Sequence, residues 1–174
     1  ALYWVSDQPL MNYLGVAPIK KSFQPVLFRK SQLLNALEKV SHEAGIEHRN
    51  RCGILLGHEQ TEEISKTVTP VIWSLLNVLP KNDHQRPHRH QSVALDLCTK
   101  GPKIGSEDEG KVYTLMGPEL DEQGWVKNAF KVNWIEGGVF ITPPGWWHSH
   151  HNENDKDAFV LPVQDAGLFK FQRT

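Results

Sequence analysis

Gly137-Gly138-Val139-Phe140-Ile141-Thr142-Pro143-Pro144-Gly145-Trp146-Trp147-His148-Ser149-His150-His151-Asn152 is the stretch whose reading decides the fold. Val139–Thr142 is a short apolar run of strand type. Pro143-Pro144-Gly145 is turn chemistry, and Trp147–His151 reads as a second strand returning from that turn. Far upstream stands Pro87-His88-Arg89-His90. On a strand, residues two apart share a face, so His88 and His90 point the same way if this segment is extended. The Pro-Pro-Gly turn brings His148 back to meet them. Neutral imidazoles suit iron, zinc, copper or nickel. Three such ligands leave coordination positions open, as a catalytic site requires.

Working outward, the 174 residues fit one domain large enough for a sizeable core. A net charge of −1 offers no basic surface for nucleic acid. No apolar run reaches membrane-spanning length, and no charged-then-apolar leader precedes the first residues. Cys52 and Cys98 do not make a disulfide framework. The cytoplasm is the expected compartment. Ala1 is compatible with a processed chain or a piece of a longer protein.

Residues 1–45 read as an arm with short helices. Ser6-Asp7-Gln8-Pro9 opens one that Gly15 ends, and Ser31 opens a longer one over 32–42. There Leu33, Leu34, Leu37 and Val40 form an apolar stripe at helical spacing. This arm is expected to pack on the domain or a neighbouring subunit. Residues 46–174 read as strands: 52–56, 67–79, 88–98, 111–115, 125–134, 139–142, 147–151 and 158–163. Many short strands with Gly/Pro punctuation predict an all-β sandwich or barrel. The acidic loop 105–110 reads as solvated. His42, His48, His58 and His84 read as structural or surface histidines.

The two histidine motifs resemble those of the cupin superfamily. Gly137, Pro143, Gly145, His148 and Asn152 match the whole of its second motif. In the first, Asn82 takes the opening glycine position, His88 and His90 are the histidines and Gly101 closes. The glutamate that usually supplies a fourth ligand falls at Ala94. Pro87-His88-Arg89-His90-Gln91-Ser92-Val93-Ala94-Leu95 also resembles the gentisate 1,2-dioxygenase group, which includes salicylate and 1-hydroxy-2-naphthoate dioxygenases. So does Thr142-Pro143 followed by Trp147-His148-Ser149-His150-His151-Asn152. The resemblance implies a double-stranded β-helix, the jelly-roll-like cupin barrel, behind the N-terminal helical arm.

It also implies a site. The metal ligands would be His88, His90 and His148, with Fe(II) as the ion and Zn or Ni as alternatives in isolated protein. Substrate and O2 would share the open positions, so a hydroxylated aromatic acid would be held beside oxygen. Arg51 would meet the substrate carboxylate. Trp73 and Asn77 would line the pocket, His150 would bind substrate or shuttle a proton, and Asp165 would follow the last core strand. Asp96 stands where the group carries arginine, and Ser149 where it carries aspartate. A reversed charge at Asp96 disfavours a second anionic group on the substrate. A homodimer is expected. The competing readings are another metal-dependent cupin, such as an isomerase or a β-diketone-type dioxygenase, and a non-enzymatic cupin that binds a small molecule.

Overall fold

The structure, a computed structural model, describes residues 2–17, 19, 20, 23–43, 45 and 49–172. His48 and the start of the expected barrel at residue 46 lie outside the described residues.

Among the described residues, three α-helices, one short 3-10 helix (Glu59–Thr61) and nine strands run in chain order. The α-helices are α1 (Gln8–Leu14), α2 (Lys30–Ser41) and α3 (Ala166–Gln172). The strands are β1 (Cys52–Leu55), β2 (Trp73–Leu79), β3 (Asp83–His84), β4 (Ala94–Lys100), β5 (Val112–Gly117), β6 (Phe130–Asn133), β7 (Val139–Thr142), β8 (Trp147–Asn152) and β9 (Ala158–Gln164). They form two antiparallel sheets, ordered β1-β2-β9-β4-β7 and β3-β8-β5-β6.

Alternation along the strands sorts the side chains. On β9, Ala158, Val160, Pro162 and Gln164 are buried toward the other sheet, whereas Phe159 and Leu161 are only partly covered. On β4 the inward set is Ala94, Asp96 and Cys98. The apolar part of the interior is Leu79, Cys98, Val112, Met116, Trp134, Phe140, Ala158 and Val160. Each large side chain fully buried there stabilises the fold by about 1.5–3 kcal/mol. Register places this cluster at one end of the strands, because Leu79 pairs with Ala158 and Cys98 with Val160. The opposite end, at Asn77, Asp96 and Gln164, is polar. A second cluster joins α2 to the outer face of the five-stranded sheet: Leu37 packs with Cys52, Leu76 and Val78, flanked by Leu33 and Val40. The apolar stripe of α2 therefore faces β1 and β2.

Several elements differ from the sequence expectation. The long strand expected over 67–79 begins only at Trp73. Thr69 Oγ1 accepts from the backbone N–H groups of Val71 and Ile72, which turns the chain before the strand starts. Asp121 Oδ1 accepts from Gln123 and Trp125 N–H in the same way, so β6 is restricted to Phe130–Asn133. α2 starts at Lys30, which puts Ser31 inside the helix rather than at its cap. α3 was not expected. Its Gly167 N–H donates to Val71 O, and a Cβ there would meet that carbonyl at 2.6 Å.

The expected strand 88–98 is two separate pieces. His88 bridges to His148 in the four-stranded sheet, whereas β4 begins at Ala94 in the other sheet. Residues 91–93 carry the chain across. Hence Asp96 does not share one continuous strand face with His88 and His90; it reaches the interior from the opposite sheet.

Candidate metal centre

β8 carries the site, because its alternation turns His148 and His150 inward and Ser149 and His151 outward. The turn before it is built on Gly145, whose φ of +76° an L side chain rarely adopts. Gly145 N–H donates to His90 O, so the turn is stitched to the segment carrying the other histidines. His88 is fixed by reciprocal backbone hydrogen bonds with His148, at 3.0 and 2.9 Å.

Four imidazoles converge. Ring centroids are 4.0 Å apart for His88 and His148, 4.9 Å for His90 and His148, and 5.6 Å for His148 and His150. His88, His148 and His150 each offer a ring nitrogen within 4.8 Å of the others, a grouping able to hold a metal ion. His90 lines the same pocket. Burial, together with the neighbouring histidines and Arg51, holds all four neutral. His88 is pushed down to about 2 and His148 to about 4, while His90 and His150 also fall below the usual imidazole value. Neutral imidazole is the form that binds metal.

Their hydrogen bonds decide which nitrogen carries the proton. His148 Nδ1 lies 3.1 Å from Trp146 O and His90 Nδ1 2.8 Å from Ser92 O. A carbonyl only accepts, so both Nδ1 atoms are protonated and both Nε2 atoms keep a lone pair. Gln164 Nε2 donates to His90 Nε2 at 3.3 Å, and Arg51 Nη1 donates to His88 Nε2 at 3.3 Å. Donors thus sit on lone pairs a cation would use. His88 Nδ1 is buried without a partner. His150 differs. Its Nδ1 is 2.8 Å from Thr114 Oγ1, which already accepts from Trp134 Nε1. The Thr114 hydroxyl proton is best satisfied on His150 Nδ1, which leaves His150 with Nε2–H, a donor. The donor set fits a divalent transition metal.

The expected substrate residues divide. Arg51, Asn77 and Asp96 line the histidine pocket, together with Leu75, Pro162 and Gln164. Trp73 and Asp165 do not line it. Trp73 pairs with Gln164 at the start of β2, and Asp165 Oδ1 accepts from Val93 N–H, bracing the crossing segment. Asp96 is raised to about 7 by burial, opposed by the Thr142 hydroxyl donating to Oδ2. Near neutral pH it is about half protonated, so the charge reversal expected there is weakened. Sequence reasoning missed Gln164, Thr114 and Trp134. Period-two alternation along β9 and β5 was the available signal for the first two. For Trp134 it was the rule that a buried indole N–H finds a partner.

Of the other histidines, His42 Nδ1 contacts Glu38 O at the end of α2, and His58 Nε2 contacts Gln24 O.

No family model and no curated protein matches this chain. Solved structures do. The salicylate 1,2-dioxygenase of Pseudaminobacter salicylatoxidans superposes with a TM-score of 0.70 at 17% identity, covering 95% of this chain and 45% of that one. This is the cupin fold. The structure of that enzyme's adducts with gentisate gives a TM-score of 0.70 at 18% identity, over 96% of this chain and 40% of that one. The chain therefore spans less than half the length of the dioxygenase chains it matches. Among the described residues, no helix is long and apolar enough to cross a membrane.

Proposed function

We propose that this cupin is an Fe(II)-dependent dioxygenase that cleaves a hydroxylated aromatic acid with O2, holding its metal through His88, His90 and His148. The observation that carries the reading is the set of hydrogen-bond partners around the four imidazoles. His90 and His148 set Nδ1 against carbonyls, and His88 Nε2 accepts from Arg51, whereas His150 Nδ1 meets the Thr114 hydroxyl, which favours a proton on its Nε2. Proximity alone groups His150 with His88 and His148; tautomer chemistry favours His90 as the third ligand.

When bound, the metal would supply Lewis acidity toward a substrate hydroxyl and a coordination position for oxygen. Arg51 would pair with the substrate carboxylate through its planar fork. His150 would donate from Nε2 toward the reacting groups and take back a proton there. Asp96, protonated at Oδ1, would offer a further donor, and Asn77 Oδ1, buried without a partner, would accept from a hydroxyl. Trp73 and Asp165 would act by positioning β2 and the crossing segment. Similarity to a salicylate dioxygenase supports the substrate class.

The same reading includes a homodimer and a unit formed by residues 46–174 with 1–45 as its arm. Val139 and Ile141 lie exposed on the edge strand β7, beside half-covered Leu95 and Leu97, and association would cover them. Sedimentation at micromolar concentration should give twice the chain mass.

The decisive experiment loads the protein with Fe(II) and follows oxygen uptake with gentisate, salicylate, 1-hydroxy-2-naphthoate and a β-diketone. Uptake with an aromatic acid and about one iron per chain is expected. Uptake with the β-diketone alone would replace this reading by the other dioxygenase class.

A further inference from the structure

The histidine pocket is small, with about 10 Å³ of free space. That holds a water at most. Next to it, between α2 and the barrel wall, lies a groove of about 550 Å³. This is within the range of small-molecule sites. Arg51 lines both. Its guanidinium reaches His88 Nε2 in the inner pocket, while its neighbours Arg49, Asn50 and Cys52 belong to the groove. The groove has an apolar side made by Leu34, Leu37, Val78 and Phe159. Its polar side carries Arg49, Glu38, Asp83 and Asp157 as well as Gln85, which is only 2% exposed and whose Oε1 has no hydrogen-bond partner. A buried amide oxygen left unpaired costs free energy that a ligand donor would recover. Gln85 N–H donates to His150 O, which fixes the residue against the strand that carries the site.

We propose that this groove is a binding chamber for the organic substrate and that Arg51 is the gate between it and the histidine pocket. The ligand class follows from Arg51, Gln85 and the apolar wall, the acidic groups Glu38, Asp83 and Asp157 limiting it to a single carboxylate. Its body is apolar and lies along Leu34 and Phe159. A hydroxyl or amine donates to Gln85 Oε1. A carboxylate draws the Arg51 guanidinium away from His88, because an ionic fork outcompetes a neutral imidazole as acceptor. Ligand binding in the groove thereby frees the His88 lone pair and opens the inner pocket. The inference rests on the proposed substrate class but not on the identity of the metal.

The probe is salicylate, with salicylamide as its uncharged counterpart, titrated calorimetrically into the protein with and without bound Zn(II). Salicylate should bind both forms, and salicylamide at least tenfold more weakly. Leu34→Trp fills the groove and should weaken salicylate at least tenfold. Glu38→Trp, at an exposed position lining the groove, provides a second filler that leaves the core of the fold alone. Gln85→Leu should weaken binding three- to tenfold. Arg51→Ala should lose the preference for salicylate over salicylamide. Metal content should be unchanged in the Leu34, Glu38 and Gln85 variants. Wild-type affinity in both groove-filling variants would overturn the proposal, as would equal affinity for the charged and uncharged probes. Absence of metal from the wild type would sink the proposed metal centre instead, and the metal-free titration would still decide the groove.

Discussion

Strand β8 presents histidine to two different worlds, one on each face. Inside, His148 and His150 meet His88 and His90. Outside, His151 stacks on Tyr113 at a centroid distance of 4.9 Å and lies 6.0 Å from His84, with Trp125 edge-on to His84. Arg86 lies over Trp125 and Lys131 over Tyr113. Both faces gather imidazoles, but of the two it is the inner one that sets Nδ1 of His90 and His148 against carbonyls and brings ring nitrogens of His88, His148 and His150 within 4.8 Å of one another. The outer face spends its rings on stacking, and His151 Nε2 is engaged with Ser149 Oγ. Residue type does not make a metal site. Burial together with the partner of the other ring nitrogen does.

The largest expected effect separates the two faces outright. His148→Ala should reduce metal from about one equivalent to under a tenth after dialysis against chelator, measured by elemental analysis, whereas His151→Ala should keep it. The sharper form compares His90→Ala with His150→Ala. Loss of metal in the first and retention in the second fits the tautomer argument; the opposite result would assign the site to His88, His148 and His150.

The pH dependence of the metal-free protein should show two arms of opposite sign. His148 and His88 titrate at about 4 and about 2 in the fold, against about 6.5 when unfolded. The unfolded chain binds more protons below 6.5, so the stability is present above 6.5 and is lost as pH falls toward 4 and then 2. Asp96 behaves conversely, because its folded value is raised to about 7. The folded chain then holds the extra proton, and stability present below about 4 is lost as pH rises through 7. Asp96→Asn should therefore be more stable than wild type at pH 8, by ~1–4 kcal/mol, and lack that arm. Urea unfolding at pH 5 and pH 8 measures both. An unchanged alkaline arm in Asp96→Asn would break the assignment.

Thr114→Val removes the hydroxyl between Trp134 and His150. It should cost about 1–3 kcal/mol, since two buried ring nitrogens lose their partner. Thr114→Ser should recover most of it. Smallest of all, His151→Gln should cost ~0.5–1.5 kcal/mol from lost stacking, with no change in metal content. A larger loss than Thr114→Val would mean that the outer face matters more to the fold than its exposure suggests.

Much of this was legible in the chain. The turn at Pro143–Gly145 and the alternation through His148 and His150 are local, and so is the stripe Leu33, Leu37 and Val40 that seats α2. The break between His90 and Ala94 was not, because Gln91-Ser92-Val93 contains no glycine or proline to announce it. The chain leaves one sheet there because Asp165, just after β9, and Gln164, its last residue, hold Val93 N–H and Ser92 Oγ. Trp73 could be placed on the inward face of β2 from alternation, but how far the pocket extends along that strand depends on what β9 and β4 put opposite it.

Sequence alone determined the strand-rich class, the two histidine motifs and the inward direction of His148 and His150, since each follows from composition or from a period of two. Tertiary structure decided which groups meet. It set Asp96 against the histidines from the opposite sheet and raised its pKa by burial. It also aligned Trp134, Thr114 and His150 into one chain of hydrogen bonds, and placed Arg51 between a small pocket and a much larger groove. Those are pairings between residues 20 to 46 positions apart, where the energy depends on register and depth, and neither is written in any local pattern.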